Sequence, residues 1–135
     1  MVKNRKMIII VLAFILIIGI AVFVFNNNRS VVKNVKISAE EAKEIIDQDS
    51  DIIIIDVRSE EEYQTGHIEG AVCIPNEVIS DQIERLLSDK EQEILVYCRS
   101  GRRSSQAVDK LLDLGYTNVK DFGGINLWIA GLLFN

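Results

Sequence analysis

The chain of 135 residues is poor in metal-binding side chains, with one histidine, two cysteines and no Cys-x-x-Cys pair. That leaves too few ligands for a zinc site, and no metal or other cofactor is expected. Acidic residues are absent before Glu40, and four of the fifteen basic ones lie at or before Arg29. From Ser30 onward eleven Lys and Arg face twenty Asp and Glu, a balance of −9. Such a surface repels anionic headgroups and phosphate backbones, which argues against nucleic acid as a partner. The length suits one domain rather than two. No internal repeat or low-complexity tail is visible.

Charge, amide and proline are also missing from the nineteen residues Met7 to Phe25. As a helix this run is roughly 28 Å long, close to the hydrocarbon thickness of a bilayer. It has no polar face, which a core helix would show. Lys3, Arg5 and Lys6 form a basic leader over residues 1–6. A removable signal peptide has a shorter apolar run followed by a small-x-small site, whereas Asn26, Asn27 and Asn28 follow here. Gly19-Ile20-Ala21 lies inside the run, and neither cysteine sits at its end for lipidation. The expectation is an uncleaved transmembrane anchor over residues 7–25, a tether over 26–30 and a domain over 31–135. The denser basic cluster precedes the span, which places the N-terminus in the cytoplasm and the domain outside it.

Beyond the tether, short β-branched runs alternate with amphipathic stretches, the pattern of a parallel α/β sheet. Val31 to Ile37 reads as a first strand. Ser38 to Glu41 is a capping-box sequence leading into Ala42, Ile45 and Ile46 at helical spacing. Ile52 to Val57 is apolar on both faces, as a strand covered on both sides requires. Ser59 to Glu62 repeats the capping pattern and opens a short helix ending near Gly66. Ala71 to Ile74 is a short strand stopped by Pro75, and Ile79 to Leu87 is helical. Ile94 to Tyr97 is a second buried strand, Ser104 to Leu114 a helix capped by Gly115. Val119 to Phe122 reads as a last strand, followed by Gly123-Gly124 and an apolar helix through Trp128.

The segment richest in chemistry is Cys98-Arg99-Ser100-Gly101-Arg102-Arg103-Ser104. It joins a buried strand to a helix, at the carboxyl edge of the sheet where open α/β folds bind ligands. A short loop entering a helix turns successive N–H groups toward one point and makes an anion site. A thiol there is stabilised as thiolate by the amides and by three guanidinium groups. Gly101 suits close backbone approach or positive φ. Cys98 is therefore the candidate nucleophile, with Arg99, Ser100, Gly101, Arg102, Arg103 and Ser104 as its anion-binding surroundings. Arg103, at the loop's end, is expected to turn inward, and at least one of the three arginines to be only a solvated charge. Cys73 has no adjacent cation and reads as core.

Asp56, Arg58, Glu62 and His67 read as supporting groups, since a thiolate ionised by its loop needs no general base. Asp56 ends a buried strand near the loop, in reach of loop amides or Arg103. Arg58 and Glu62 flank a helix start and are placed to pair across it, while His67 satisfies a turn. Trp128 reads as core or pocket wall.

Taken in order, Asp56-Val57-Arg58, Glu62, Gly66-His67-Ile68-Glu69-Gly70-Ala71, Ile74-Pro75, the Cys98 loop and Gly123-Gly124 with Trp128 resemble a rhodanese-homology domain. The resemblance covers most of residues 31–135, and is greatest to small single-domain rhodaneses of the phage-shock type. It implies a five-stranded parallel sheet flanked by helices, with a catalytic cysteine after the fourth strand. In related domains a six-residue loop, such as Cys98 to Arg103, suits sulfur transfer, and one residue more suits phosphatase or arsenate chemistry. The resemblance thus implies a thiosulfate or persulfide sulfurtransferase. Cys98 would take sulfur from a small sulfur-containing anion and pass it to a thiol or cyanide. The competing reading is a membrane-tethered persulfide carrier, sensor or docking module without steady turnover.

Overall fold

The computed structural model describes residues 2–27 and 34–128. The chain divides into two compact units, residues 1–32 and 33–135.

In the first unit, α1 (Val2–Asn27) is a single helix. It takes in the basic leader and the first two residues of the expected tether, whose remaining residues lie outside the described ones. Its stretch Arg5–Val24 is long and apolar enough to cross a membrane, and none of that span is buried. Large apolar side chains from Met7 to Val24 are exposed on every side.

The second unit runs β1 (Val35–Lys36), α2 (Ala39–Gln48), β2 (Ile53–Asp56), α3 (Glu60–Gln64), β3 (Val72–Cys73), α4 (Ile79–Leu86), β4 (Ile94–Cys98), α5 (Arg102–Asp113) and β5 (Val119–Gly124). The strands form one sheet in the order β1-β5-β4-β2-β3, with every pairing parallel. This is the parallel α/β sheet that the strand–helix alternation implied, with the five strands that the family resemblance implied. Residues 125–128 are helical, as expected through Trp128; residues 31–33 of the expected first strand and residues 129–135 of the expected domain lie outside the described residues.

The apolar run in each central strand is divided between two faces by the two-residue period. Ile94, Val96 and Cys98 of β4 join Ile55, Ile79, Ile83, Ala107, Val108 and Leu111 under α4 and α5. Leu95 and Tyr97 point the other way, with Ile54, Ala42, Ile68 and Phe122. Each fully buried Ile or Leu contributes about 1.5–3 kcal/mol to this arrangement. The chain leaves β2 outward to β3, then returns to place β4 on β2's other side and continues to β5. The carboxyl ends of β2 and β4 therefore flank the point where the winding reverses, the usual ligand crevice of an open parallel sheet. Asp56 and Cys98 are the last residues of those two strands.

Two starts differ in detail from the sequence reading. At α2, Ser38 accepts the Glu41 N–H, but the reciprocal half of the capping box is made only at α3, where Ser59 and Glu62 exchange both bonds. Helix α5 begins at Arg102, two residues earlier than expected, because Gly101 takes the left-handed conformation (φ 98°) as its N-cap. Arg102, Arg103 and Ser104 thus form the first helical turn.

Candidate active site

Cys98 ends β4 with its side chain turned toward the start of α5. The residue is 1% exposed and lies within the apolar cluster under α5, yet its sulfur faces polar groups. The Gly101 N–H donates to Sγ at 3.0 Å. The Ser104 hydroxyl lies 3.6 Å from Sγ, and also 3.1 Å from the Gly101 carbonyl oxygen. Burial pushes the thiol pKa up. Hydrogen bonds from the Ser104, Ser100 and Gly101 amides and the Ser104 hydroxyl outweigh it, so the net value falls below that of an ordinary thiol. What holds the sulfur anion is the set of dipoles at a helix N-terminus. Of the three guanidinium groups credited from sequence, that of Arg103 is engaged elsewhere, and Arg99 and Arg102 are exposed.

Arg103 does not lie free at the sulfur. It makes a bidentate pair with Glu62, at 2.7 and 2.9 Å. The expected Arg58–Glu62 pair is therefore absent, and Arg58 is taken by Asp56 through Nε and Nη2 at 2.6–3.0 Å. Asp56 also accepts the Arg58 N–H, and its bonds go to Arg58 rather than to loop amides or Arg103. The swap follows from position. Asp56 and Arg58 are two apart at an extended strand end and share a side, whereas Glu62, held as the capping residue of α3, faces the first turn of α5. Arg58 continues to the Gly66 carbonyl at 2.7 Å and lies over the Tyr97 ring, 5.7 Å from its centroid. Tyr97 in turn accepts the Ile68 N–H, so this buried network fixes the β2–β3 connection beside the Cys98 loop. Arg99, Ser100 and Arg102 are exposed.

His67 stacks on Tyr63 at 3.7 Å, with Nδ1 3.0 Å from the Tyr63 carbonyl oxygen, as expected of a turn residue. Trp128 packs at 5.9 Å from Phe122. Cys73 is partly buried; burial raises its pKa.

Sequence reasoning did not assign a role to Tyr97 or explain Gly124. A Cβ on Gly124 would meet the Arg99 carbonyl oxygen at 2.4 Å, and a bulge between β4 and β5 sets Gly124 opposite Cys98. The double glycine that closes the Val119–Gly124 strand is the available signal. Beside the loop opens a cleft of about 570 Å³, lined by Arg58, Glu62, Gly66, Arg99, Ile125 and Trp128 among others. Among the described residues no cluster of metal-ligating side chains is present.

A family profile for the rhodanese-like domain matches residues 38–130. The chain is 42% identical to thiosulfate sulfurtransferase PspE of Escherichia coli over 71 residues, 53% of this chain and 68% of that protein. It is 40% identical to the adenylyltransferase and sulfurtransferase UBA4 of Meyerozyma guilliermondii over 62% of this chain, which spans only 21% of that relative. Among solved structures, a rhodanese from E. coli with bound anions aligns at 40% identity and TM-score 0.54, covering 56% of this chain and 88% of that one. The human single-domain sulfurtransferase TSTD1 aligns at 25% identity and TM-score 0.64, covering 73% and 97%. The fold, the position of the Cys98 loop and these matches agree: the chain belongs to the family of rhodanese-like domains, and its relatives include sulfurtransferases.

Proposed function

We propose that Cys98 carries sulfane sulfur between thiosulfate, or another persulfide donor, and a thiol or cyanide acceptor. The observation that carries this reading is the Gly101 N–H directed at Sγ from 3.0 Å at the start of α5. The thiolate attacks the outer sulfur of the donor, a new S–S bond forms, and sulfite or a thiol departs with the electron pair of the broken bond. The terminal sulfur of the persulfide then sits where the α5 amides converge until an acceptor thiolate removes it. Two half-reactions through one covalent intermediate give ping-pong kinetics. Asp56 and Arg58 act as supports, and Arg99, Ser100, Gly101, Arg102, Arg103 and Ser104 as the anion-binding surroundings of the thiolate and donor. The 42% identity to PspE favours thiosulfate as the donor.

The apolar span Arg5–Val24 serves in this reading as a single-pass anchor. Lys3, Arg5 and Lys6 hold the N-terminus in the cytoplasm, and the domain lies outside. The domain's acidic surface favours a small anion caught at a local cationic site over nucleic acid.

The test is mass spectrometry of the full chain after thiosulfate treatment. One extra sulfur on the peptide bearing Cys98, absent in Cys98→Ser, is the expected result. Thiocyanate formation by Cys98→Ser at the parent rate would refute the assignment.

A further inference from the structure

Resting on the reading of the apolar span as an anchor, we infer that the face of the domain around the mouth of the Cys98 loop docks on the lipid bilayer. Leu127 and Trp128 enter the headgroup layer there, and Arg99 and Arg102 meet lipid phosphates. Among the described residues of the second unit, four large apolar side chains are exposed: Val35, Val72, Leu86 and Leu127. The first three lie singly on β1, β3 and α4. Leu127 is the most exposed of them at 63%, as open as the side chains of the apolar span. Its Cδ1 lies 3.9 Å from a Cβ built on Gly123, which in turn packs on Gly101 of the loop. Trp128, next in the chain, shares the cleft lining with Arg99 and Asn126. An indole beside apolar side chains suits the membrane–water interface. No charged side chain occurs anywhere in residues 122–135.

Charge selects the occupant. The domain carries −9 from Ser30 onward, so an anionic bilayer repels most of its surface. Around the loop the balance reverses. Arg99 and Arg102 are exposed and make no ion pair among the described residues. The acid that lines the cleft, Glu62, is neutralised by Arg103. Guanidinium groups next to Leu and Trp are the combination that binds in a headgroup layer. Residues 28–33 precede the described part of the domain, and a stretch of that length reaches no more than about 21 Å when extended. A domain held by the span therefore meets the bilayer at high effective concentration, and a patch of a few side chains suffices.

The chain's one tryptophan serves as the probe. The full chain is reconstituted in vesicles of phosphatidylcholine and phosphatidylglycerol, with or without bromine near the headgroup end of the acyl chains. Bromine quenches indole fluorescence only at close range. Trp128 emission should fall about twofold in the brominated vesicles, as for a ring at the headgroup–acyl boundary. Leu127→Gln, at an exposed position, should abolish most of that quenching while leaving thiosulfate–cyanide turnover in detergent at the parent level. Arg99→Gln combined with Arg102→Gln should weaken the quenching and remove its sensitivity to salt. Emission untouched by lipid bromine, in a chain that still floats with the vesicles, overturns the inference and leaves the anchor standing. So does quenching indifferent to these substitutions. Shielding of Trp128 from both bromine and aqueous acrylamide overturns it too, because a protein surface then covers the face. A chain that does not float with the vesicles overturns both the anchor and the docking.

Discussion

The Arg99 carbonyl oxygen occupies the space into which any side chain on Gly124 would project, 2.4 Å from a Cβ built there. The end of β5 thereby presses on the Cys98 loop, and Gly101 packs against Gly123 in the same contact. Because both sides are backbone, neither yields by a rotamer change. Gly124→Ala is expected to move the loop, lowering stability by about 1–3 kcal/mol and sulfurtransferase turnover by more than tenfold. Urea unfolding and thiosulfate–cyanide assays read the two effects. A variant with normal turnover would show that the close approach does not set the loop.

Ser104 and Cys98 form the second testable relationship. In the thiol state the Ser104 hydroxyl has the Gly101 carbonyl within reach, and as thiolate Cys98 becomes its stronger acceptor. Losing a hydrogen bond to a charged group costs about 1.5–3 kcal/mol. Ser104→Ala should therefore raise the Cys98 pKa and shift the acidic limb of the pH–rate profile upward. Alkylation by iodoacetamide, followed peptide by peptide, gives the direct readout. In the parent protein the Cys98 midpoint should lie below that of Cys73, and in Ser104→Ala the two should approach each other.

Local patterning made much of this legible in advance. The both-faces-apolar runs at Ile52–Val57 and Ile94–Tyr97 fixed the two central strands, and the Ser59/Glu62 capping box marked α3. Cys98, with Gly101 and three arginines following it at a strand-to-helix junction, pointed to the thiolate site. Partner choice among the charges was not legible. Asp56, Arg58, Glu62 and Arg103 offer several opposite-sign pairings, and the selection depends on which faces of α3 and α5 meet, a tertiary fact. Gly124 likewise looks like loop punctuation until β5 is paired with β4.

The Asp56–Arg58 pair is buried on both sides, with 0% and 6% side-chain exposure. Removing one partner strands the other charge, which costs about 3–5 kcal/mol in a buried pair. Asp56→Ala should cost that much, and adding Arg58→Met should restore a substantial part of it. A double-mutant cycle by urea unfolding measures the coupling. Purely additive losses would show that the two side chains act independently, contrary to the shared hydrogen bonds.

Glu62 supplies a pH-dependent link between α3 and α5. Its hydrogen bonds with Arg103 hold its pKa down to about 2 from the ordinary 4.5, with burial opposing. A depressed carboxylate pKa means that the folded state binds protons less readily than the unfolded chain. The stabilisation is therefore complete above pH 4.5 and disappears as pH falls toward about 2. Glu62→Gln keeps the size and one acceptor but lacks the charge. It should be less stable than the parent by about 1 kcal/mol at neutral pH, allowing for partial solvent screening. The gap should close progressively through the acid range, as read by urea midpoints from pH 7 downward. A gap independent of pH would show that shape, rather than the ion pair with Arg103, is what Glu62 contributes.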